Sequence, residues 1–185
     1  MMSEVFIHPS AEVDLRSVIG GGTKVWNQVQ IREGSKIGKN CILSKDVYID
    51  YGVIIGSRCK VQNGVSVYSG VTIEDDVFVG PHATLTNDKV PRAFNSNWII
   101  TPTLIKTGAS IGANATIVCG ITIGRYAMVA AGSVVTKSVP DHGLVMGNPA
   151  RIVGYVCKCG NTLDLRSHCL SCKEKTDLFV PKDGQ

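Results

Sequence analysis

Residues 31–67 read IREGSKIGKNCILSKDVYIDYGVIIGSRCKVQNGVSV, and every sixth residue of this stretch, counted from its first, is aliphatic. The same spacing continues outward from the stretch, back to Ile7 and forward to Leu85. Pro91 breaks the spacing, which then resumes in a shifted phase over residues 105–135. Together the two runs place an aliphatic residue at twenty positions of twenty, so the repeat is a property of the fold rather than of composition.

A repeat of six residues matches neither the 3.6-residue period of a helix nor the two-residue period of a half-buried strand. It is typical of a chain that runs straight for a few residues, turns and repeats, so that three sides close a triangle. One circuit, called a coil below, then takes about 18 residues, and stacked coils pair as parallel strands about 4.8 Å apart. Twenty repeats predict between six and seven coils and a rod about 30 Å tall.

The side chains in the repeat have predictable positions. The aliphatic residues point into the prism, and the small or β-branched residues four places later sit where its corners are narrow. Cys41 and Cys59 belong to this second column and are expected to fill the core. Glycines that directly follow an aliphatic residue, such as Gly38 and Gly56, are expected to relieve the turns.

Two segments fall outside the repeat. Residues 86–104 interrupt the pattern without ending it, so they must leave the prism as an excursion loop and return. A long loop on a rigid scaffold is often functional. The predicted organisation is a β-helix domain over residues 1–154 and a small tail over residues 155–185.

Composition excludes several classes of function. The net charge of +4 is spread along 185 residues without a run of like charges, so we expect neither a nucleic-acid-binding tail nor a polybasic membrane patch. The first five residues lack the pattern of a signal peptide, and no apolar stretch approaches 18 residues, which predicts no membrane span and a cytoplasmic protein. Seven cysteines in that compartment should be reduced or metal-bound.

The repeat over residues 7–139 resembles that of the left-handed β-helix acyltransferases, and the left hand and a homotrimeric assembly are implied by this resemblance. The segment Val145–Arg151, VMGNPAR, is similar to the G-x-P-A-R ending of the coenzyme A-dependent members. Three further motifs, IHPSA from Ile7, KVQNGVSVY from Lys60 and FVGPH from Phe78 with TNDK and PR after it, are similar to nucleotide-sugar N-acetyltransferases. An example is the UDP-2-acetamido-3-amino-2,3-dideoxyglucuronate N-acetyltransferases.

This narrower resemblance implies transfer of an acetyl group from acetyl-CoA to the 3-amino group of a UDP- or dTDP-linked sugar, for surface polysaccharides. Asn87 lies at the family position that is expected to meet the acceptor amine. His82, just before the excursion loop, could act as the general base or could only orient the loop. Asp88 is predicted to help bind the substrate, and its carboxylate could also cap the loop or hold His82.

Four more polar residues are candidates for binding the substrates. Gln62, Asn63 and Tyr68 lie one coil earlier, on the middle motif, and either bind the sugar or diphosphate or are solvated turn residues. Arg151 either pairs with a phosphate of coenzyme A, for which a guanidinium is well suited, or is a solvated arginine.

The tail carries a cysteine pattern typical of a metal site. The pairs are Cys157-x-Cys159 and Cys169-x-x-Cys172, with nine residues between them. They predict a zinc-ribbon-like module with four thiolates around one zinc ion, although the first pair is tighter than usual and His168 could replace one cysteine. Residues 157–185 carry five Lys/Arg against four Asp/Glu, so we expect a structural role and no nucleic-acid binding.

Three alternative functions remain open on the residues alone. The acceptor could be another small molecule, such as serine or a lipid precursor. The fold could carry a metal-dependent carbonic anhydrase, which would need three converging histidines from the four in the chain. The chain could also be a non-catalytic β-helix scaffold, against which the excursion loop and the G-x-P-A-R ending argue.

Overall fold

The computed structural model describes residues 4–164 and 166–175, and the predicted aliphatic repeat appears in it as twenty short strands. Each strand ends on one of the twenty aliphatic residues, because those residues point inward just before each turn. The strands are β1 Phe6–Ile7, β2 Glu12–Val13, β3 Val18–Ile19, β4 Lys24–Val25, β5 Gln30–Ile31, β6 Lys36–Ile37, β7 Ile42–Leu43, β8 Tyr48–Ile49, β9 Ile54–Ile55, β10 Lys60–Val61, β11 Ser66–Val67, β12 Val71–Ile73, β13 Phe78–Val79, β14 Thr84–Leu85, β15 Thr103–Ile105, β16 Ser110–Ile111, β17 Thr116–Ile117, β18 Thr122–Ile123, β19 Met128–Val129 and β20 Val134–Val135. Two longer strands follow, β21 Gly143–Gly147 and β22 Ala150–Tyr155.

Every third strand joins the same sheet, which gives the three faces of the predicted prism. Sheet 1 begins β1-β4-β7 and ends β19-β21-β22, sheet 2 runs from β2 to β20, and sheet 3 runs from β3 to β18. All pairs are parallel except β21 with β22. The register stacks aliphatic on aliphatic, since Val61 lies opposite both Leu43 and Val79. The predicted all-β, parallel β-helix is therefore confirmed.

The number of coils differs from the prediction at the C-terminal end. Sheet 1 has eight parallel layers, because β21 continues the stack beyond β19. Val139 also bridges in parallel to Ile123 on sheet 3. The six-residue count ended at Val135 because the next inward residue follows after only four places.

The core is a continuous column of the two residue series that sequence predicted. Leu43 and Ile49 are fully buried, and Cys41 and Cys59 are fully buried beside them. The thiols donate to backbone carbonyls of the next coil, Cys41 Sγ to Gly56 O at 3.1 Å and Cys59 Sγ to Glu74 O at 3.0 Å. Both cysteines are therefore core fillers, as expected.

The glycines that follow the aliphatic residues are required for a different reason than expected. Their φ angles are not in the left-handed region, so they do not relieve a turn. Instead, a Cβ on Gly38 would lie 2.5 Å from the backbone of Gly56, and one on Gly112 would lie 2.5 Å from the nitrogen of Ala131. These positions exclude a side chain because consecutive coils pass there in direct contact.

The excursion loop is slightly shorter than the predicted 86–104, because β15 already begins at Thr103. It leaves the prism after Leu85 and runs over residues 86–102. The backbone N–H of Thr101 donates to the carbonyl of Asn87 at 2.9 Å, which closes the base of the loop. Ile100 packs against Gly70 of the preceding coil.

The tail begins where β22 ends at Tyr155, and its described part forms antiparallel bridges between Val156 and Thr162 and between Leu163 and Cys169. Val156 is buried, and its N–H donates to the carbonyl of His142 at 2.8 Å, so the tail packs on the last coil. Residues 176–185 of the predicted tail lie outside the described residues. No helix of the described chain is long and apolar enough to cross a membrane.

Candidate active site

The predicted catalytic and sugar-binding residues lie at two corners of the prism. The His82 corner is the turn between β13 and β14 at residues 80–83, together with the turns stacked on it. The Asn87 corner follows β14 at residues 86–88, where the excursion loop leaves, together with the turn stacked on it.

At the His82 corner the structure brings together three predicted residues. His82 is exposed and has a φ of 57°, and its N–H donates to the carbonyl of Asn63 at 2.9 Å. Gln62 and Asn63 occupy the same corner one coil earlier, and Gln62 is half-buried while Asn63 is exposed. The imidazole lies over Gly64, where an added Cβ would come within 2.4 Å of Nδ1. A glycine at position 64 is therefore a condition for the observed placement of His82.

The Asn87 corner holds Asn87, Asp88 and Tyr68. Asn87 Nδ2 donates to the carbonyl of Ser69 at 3.2 Å, which ties the exit of the loop to the coil before it. Asp88 Oδ1 accepts the N–H of Val90 at 2.8 Å, so its carboxylate caps the first turn of the loop. Tyr68 is partly exposed beside them, and its ring lies 6.0 Å from that of Tyr48.

The two corners are separate within one chain. His82 and Asn87 lie at opposite ends of β14, on different edges of the prism. Asp88 belongs to the Asn87 corner, where its carboxylate caps the loop and makes no contact with His82 within one chain. A site that uses both His82 and Asn87 therefore needs the corner of a second chain.

A groove opens at the base of the excursion loop, with a volume of about 500 Å³. Asn87 and Asp88 line it on the prism side, and Arg92 and Trp98 line it from the loop. Sequence reasoning gave no role to Arg92 or Trp98. The available signals were the PR motif that contains Arg92 and the presence of both residues inside the long insertion in the repeat.

Arg151 lies apart from both corners, on the edge strand β22, opposite Met146. Its guanidinium is exposed and donates to the carbonyl of Ala150 at 3.0 Å. It forms no ion pair with any residue in the described ranges, so it is available to an anion from solution.

The four tail cysteines converge on one point. Their Sγ atoms all lie within 4.8 Å of one another, with Cys157 and Cys172 at 3.5 Å and Cys159 and Cys169 at 3.5 Å. Four thiolates around a tetrahedral zinc, with Zn–S bonds of about 2.3 Å, lie about 3.8 Å apart. The cluster therefore has the size that zinc requires.

Other features of the tail agree with a metal site. Asn161 donates to Cys159 Sγ at 3.4 Å and lowers the pKa of that thiol, which favours the thiolate form that binds metal. The pKa of Cys172 is raised instead: the backbone of Glu174 lowers it, but the neighbouring thiols of the cluster raise it by more. His168 is not part of the cluster, and its Nδ1 lies 4.0 Å from Asp164. Within residues 4–164 and 166–175, the four cysteines are the only group of three or more potential metal ligands, and no histidine triad forms.

Comparison with known protein families gives matches on both sides of the excursion loop. The bacterial transferase hexapeptide family, in its six-repeat form, matches residues 52–87 and 102–137. The hexapeptide repeat of succinyl-transferase matches residues 34–69.

Individual proteins are also similar. A dTDP-3-amino-3,6-dideoxy-alpha-D-galactopyranose 3-N-acetyltransferase of Aneurinibacillus thermoaerophilus is 45% identical over 158 residues, which cover 85% of this chain and 82% of that relative. Serine acetyltransferase 4 of Arabidopsis thaliana is 37% identical over 128 residues, but the chain covers only 30% of its length. The structure of PerB from Caulobacter crescentus in complex with CoA and GDP-perosamine superposes with a TM-score of 0.54 at 27% identity, over 83% of this chain and 59% of PerB.

Proposed function

The chain belongs to the hexapeptide-repeat family of bacterial transferases, and we propose that it transfers the acetyl group of acetyl-CoA to the amino group of a nucleotide-linked sugar. The observation that carries this proposal is the 45% identity to a 3-N-acetyltransferase for a dTDP-linked amino sugar. A continuous match of 158 residues leaves only 27 of the 185 outside it, so the match includes both corners of the candidate site. The complex of PerB with CoA and a nucleotide sugar supports the same pair of substrates.

The chemistry requires little of the protein beyond positioning and proton acceptance. The amine nitrogen of the sugar attacks the thioester carbonyl carbon, the C–N bond forms, and the C–S bond breaks to release coenzyme A. The proton lost by the amine is taken by a base and reaches the departing thiolate. In this scheme His82 accepts the proton, and Asn87 holds the amine in line with the thioester.

Binding the two substrates is the task of the remaining candidates. Gln62 and Asn63 lie beside His82, and Tyr68 lies beside Asn87, so each corner has polar groups to offer to the sugar. Arg151 is proposed to pair with a phosphate of coenzyme A, since its guanidinium has no acidic partner among the described residues. Acetyl-CoA and reduced thiols are both typical of the cytoplasm, so we propose that the enzyme is cytoplasmic.

The decisive experiment is an acceptor screen that follows release of free thiol from acetyl-CoA. We expect turnover with UDP- or dTDP-linked 3-amino sugars and a much lower rate with serine. Turnover with serine alone would overturn the proposed acceptor. Calorimetry with coenzyme A is a separate test, because a chain that bound no coenzyme A would be a scaffold rather than a transferase.

We expect the protein to be a homotrimer. A site that uses both corners needs a second chain, and three chains around a threefold axis satisfy every corner in a closed ring. The excursion loop also presents apolar side chains that are more than half exposed, namely Val90, Phe94 and Ile99, and a neighbouring prism would cover them. Light scattering should give a mass of about 59 kDa, three times the 19.7 kDa of one chain. A monomer at micromolar concentration would contradict this assembly.

The placement of His82 over Gly64 gives a further prediction. Gly64→Ala should lower kcat by about tenfold, because the new Cβ displaces the imidazole and small misplacements of catalytic groups are costly. Gly52→Ala is the matched control: its φ of +65° is close to the +67° of Gly64, but no atom lies within 4 Å of the added Cβ. Both variants should lose about 1–2 kcal/mol of unfolding free energy, since alanine is strained at such φ values. Equal kcat values for the two variants would show that the His82 ring position does not matter.

The four tail cysteines are proposed to hold one structural zinc ion per chain. Four thiolates saturate a tetrahedral zinc and leave no open position for a substrate or water, so the metal would stabilise the tail and take no part in acetyl transfer. A compact tail of this size has too little apolar core to fold without such support.

A further inference from the structure

The groove at the base of the excursion loop has the chemistry of a nucleoside diphosphate site. We infer that Arg92 binds the diphosphate of the sugar substrate and that Trp98 stacks on its base. This assignment rests on the proposed function and adds to it the part of the substrate that lies away from the reacting amine. The volume of the groove, about 500 Å³, is within the range of small-molecule sites.

Arg92 is a cation without a counter-charge. Its Nη1 donates to the carbonyl of Pro91 at 2.8 Å, and it makes no ion pair with any described residue. The one carboxylate on the groove, that of Asp88, has one oxygen bound to the N–H of Val90. A guanidinium that keeps most of its N–H groups free can bind two phosphate oxygens at once.

Trp98 offers a flat surface in the same groove. Its side chain is 45% exposed although a tryptophan usually buries most of its area. Stacking of an aromatic side chain on a base tolerates different bases because each has a π face. An exposed indole beside an unpaired guanidinium thus matches the two parts of a nucleoside diphosphate.

The position of the groove agrees with the reaction. Asn87, which is proposed to hold the sugar amine, lines this groove as well. The loop that carries Arg92 and Trp98 is anchored at its base by the bond from Thr101 N–H to the Asn87 carbonyl. A nucleotide bound to the loop would therefore place its sugar beside the Asn87 corner.

Two other grooves on the described surface lack this combination. The groove on sheet 3, lined by Thr72, Leu104 and Thr122 among others, has no cationic or aromatic residue. The groove at the N-terminal end of sheet 2 contains Arg32, but Glu12, Asp14 and Glu33 line it too and would repel a diphosphate. Arg32 is already paired with Glu33 at 2.9 Å.

The test uses the full chain, with dTDP, UDP and dTMP as probes in calorimetry. We expect Arg92→Ala to weaken binding of dTDP and UDP by about tenfold to a hundredfold, the range for hydrogen bonds to charged groups. It should also remove most of the affinity difference between dTDP and dTMP. Lys89→Ala is the matched control, because Lys89 belongs to the same loop but its Nζ lies beside Gly120 and does not line the groove.

Fluorescence tests the indole separately. The chain has two tryptophans, Trp26 and Trp98, so the Trp26→Phe variant reports Trp98 alone. Its emission should be quenched by dTDP, and Trp98→Phe should lose that quenching. Trp98→Ala should raise the KM for the nucleotide sugar at least fivefold, the lower end for loss of one stacked base, while kcat changes much less.

The outcomes separate this inference from the proposed function. If the wild-type chain acetylates a nucleotide sugar but Arg92→Ala and Trp98→Ala bind dTDP and UDP as tightly as wild type, the nucleotide lies elsewhere and the inference is wrong. If both variants lose nucleotide binding while the wild type transfers no acetyl group, the site stands and the proposed reaction fails. Absence of any binding of dTDP or UDP by the wild type would also overturn the inference.

Discussion

Replacing His82 by alanine is expected to lower kcat by about a hundredfold or more, the usual scale for loss of a general base. The imidazole is exposed at its corner, and no hydrogen bond occupies its ring nitrogens among the described residues, so it is open to a substrate amine. Stability should change little, because the side chain contributes no buried surface to the core. Steady-state kinetics with saturating acetyl-CoA would measure the loss.

The pH dependence of His82→Ala distinguishes a base from a merely structural histidine. A protonated imidazole cannot accept the amine proton, so wild-type turnover should fall at acidic pH, and the variant should lose or shift that limb of the profile. His8→Ala, which changes a half-buried histidine bonded to Ser10 in the first coil, should leave the profile unchanged. If His82→Ala loses little kcat and keeps the acidic limb of the profile, the sugar amine binds in its neutral form and no protein base is needed.

Asn87→Ala should lower kcat whether or not His82 is the base, because a misplaced amine loses the benefit of alignment. The variant also loses the bond from Asn87 Nδ2 to the Ser69 carbonyl, a cost of about 1 kcal/mol that thermal unfolding would report. Activity and stability must therefore be measured together. Full activity in both His82→Ala and Asn87→Ala would place the active site elsewhere on the protein.

Removal of zinc is the second large expected effect, and it should be confined to the tail. Elemental analysis should find one zinc per chain, and the pair of substitutions Cys169→Ser and Cys172→Ser should abolish it. Binding of zinc by such sites contributes about 10–16 kcal/mol of apparent free energy, so the tail should lose its order without it. Hydrogen exchange should then become fast over residues 157–172.

The coils should survive this loss. Stacked repeats depend mainly on their neighbours, and the tail contacts the prism at its last coils, through Val156 at His142 and through Lys158 over the ring of Tyr126. Cys119→Ala is the control: this cysteine is buried in the prism, outside the cluster, and its loss should leave the zinc content unchanged. Protein that contained no zinc and still had slow exchange in the tail would refute the metal site.

The six-residue period was enough to predict the architecture of this protein. Each of the twenty aliphatic residues ends a strand, because the six-residue period equals one side of the prism and each turn returns the next side chain inward. The convergence of the four tail cysteines was also predictable, since two pairs at such short spacings are typical of one metal site. The number of coils was underestimated at the C-terminal end of the prism, because Val139 follows Val135 after four residues instead of six.

Which residues lie in contact could be established only from the folded chain. Asn63 and His82 are 19 residues apart and touch, while His82 and Asn87 are five apart and lie on different corners. The folded chain also explains why glycine is required at positions such as Gly38. The close contact between stacked coils joins residues 18 apart, so the residues next to the glycine in sequence do not indicate it. The groove with Arg92 and Trp98 could not be predicted, because the excursion loop has no repeat and its path is set by its anchoring on the prism.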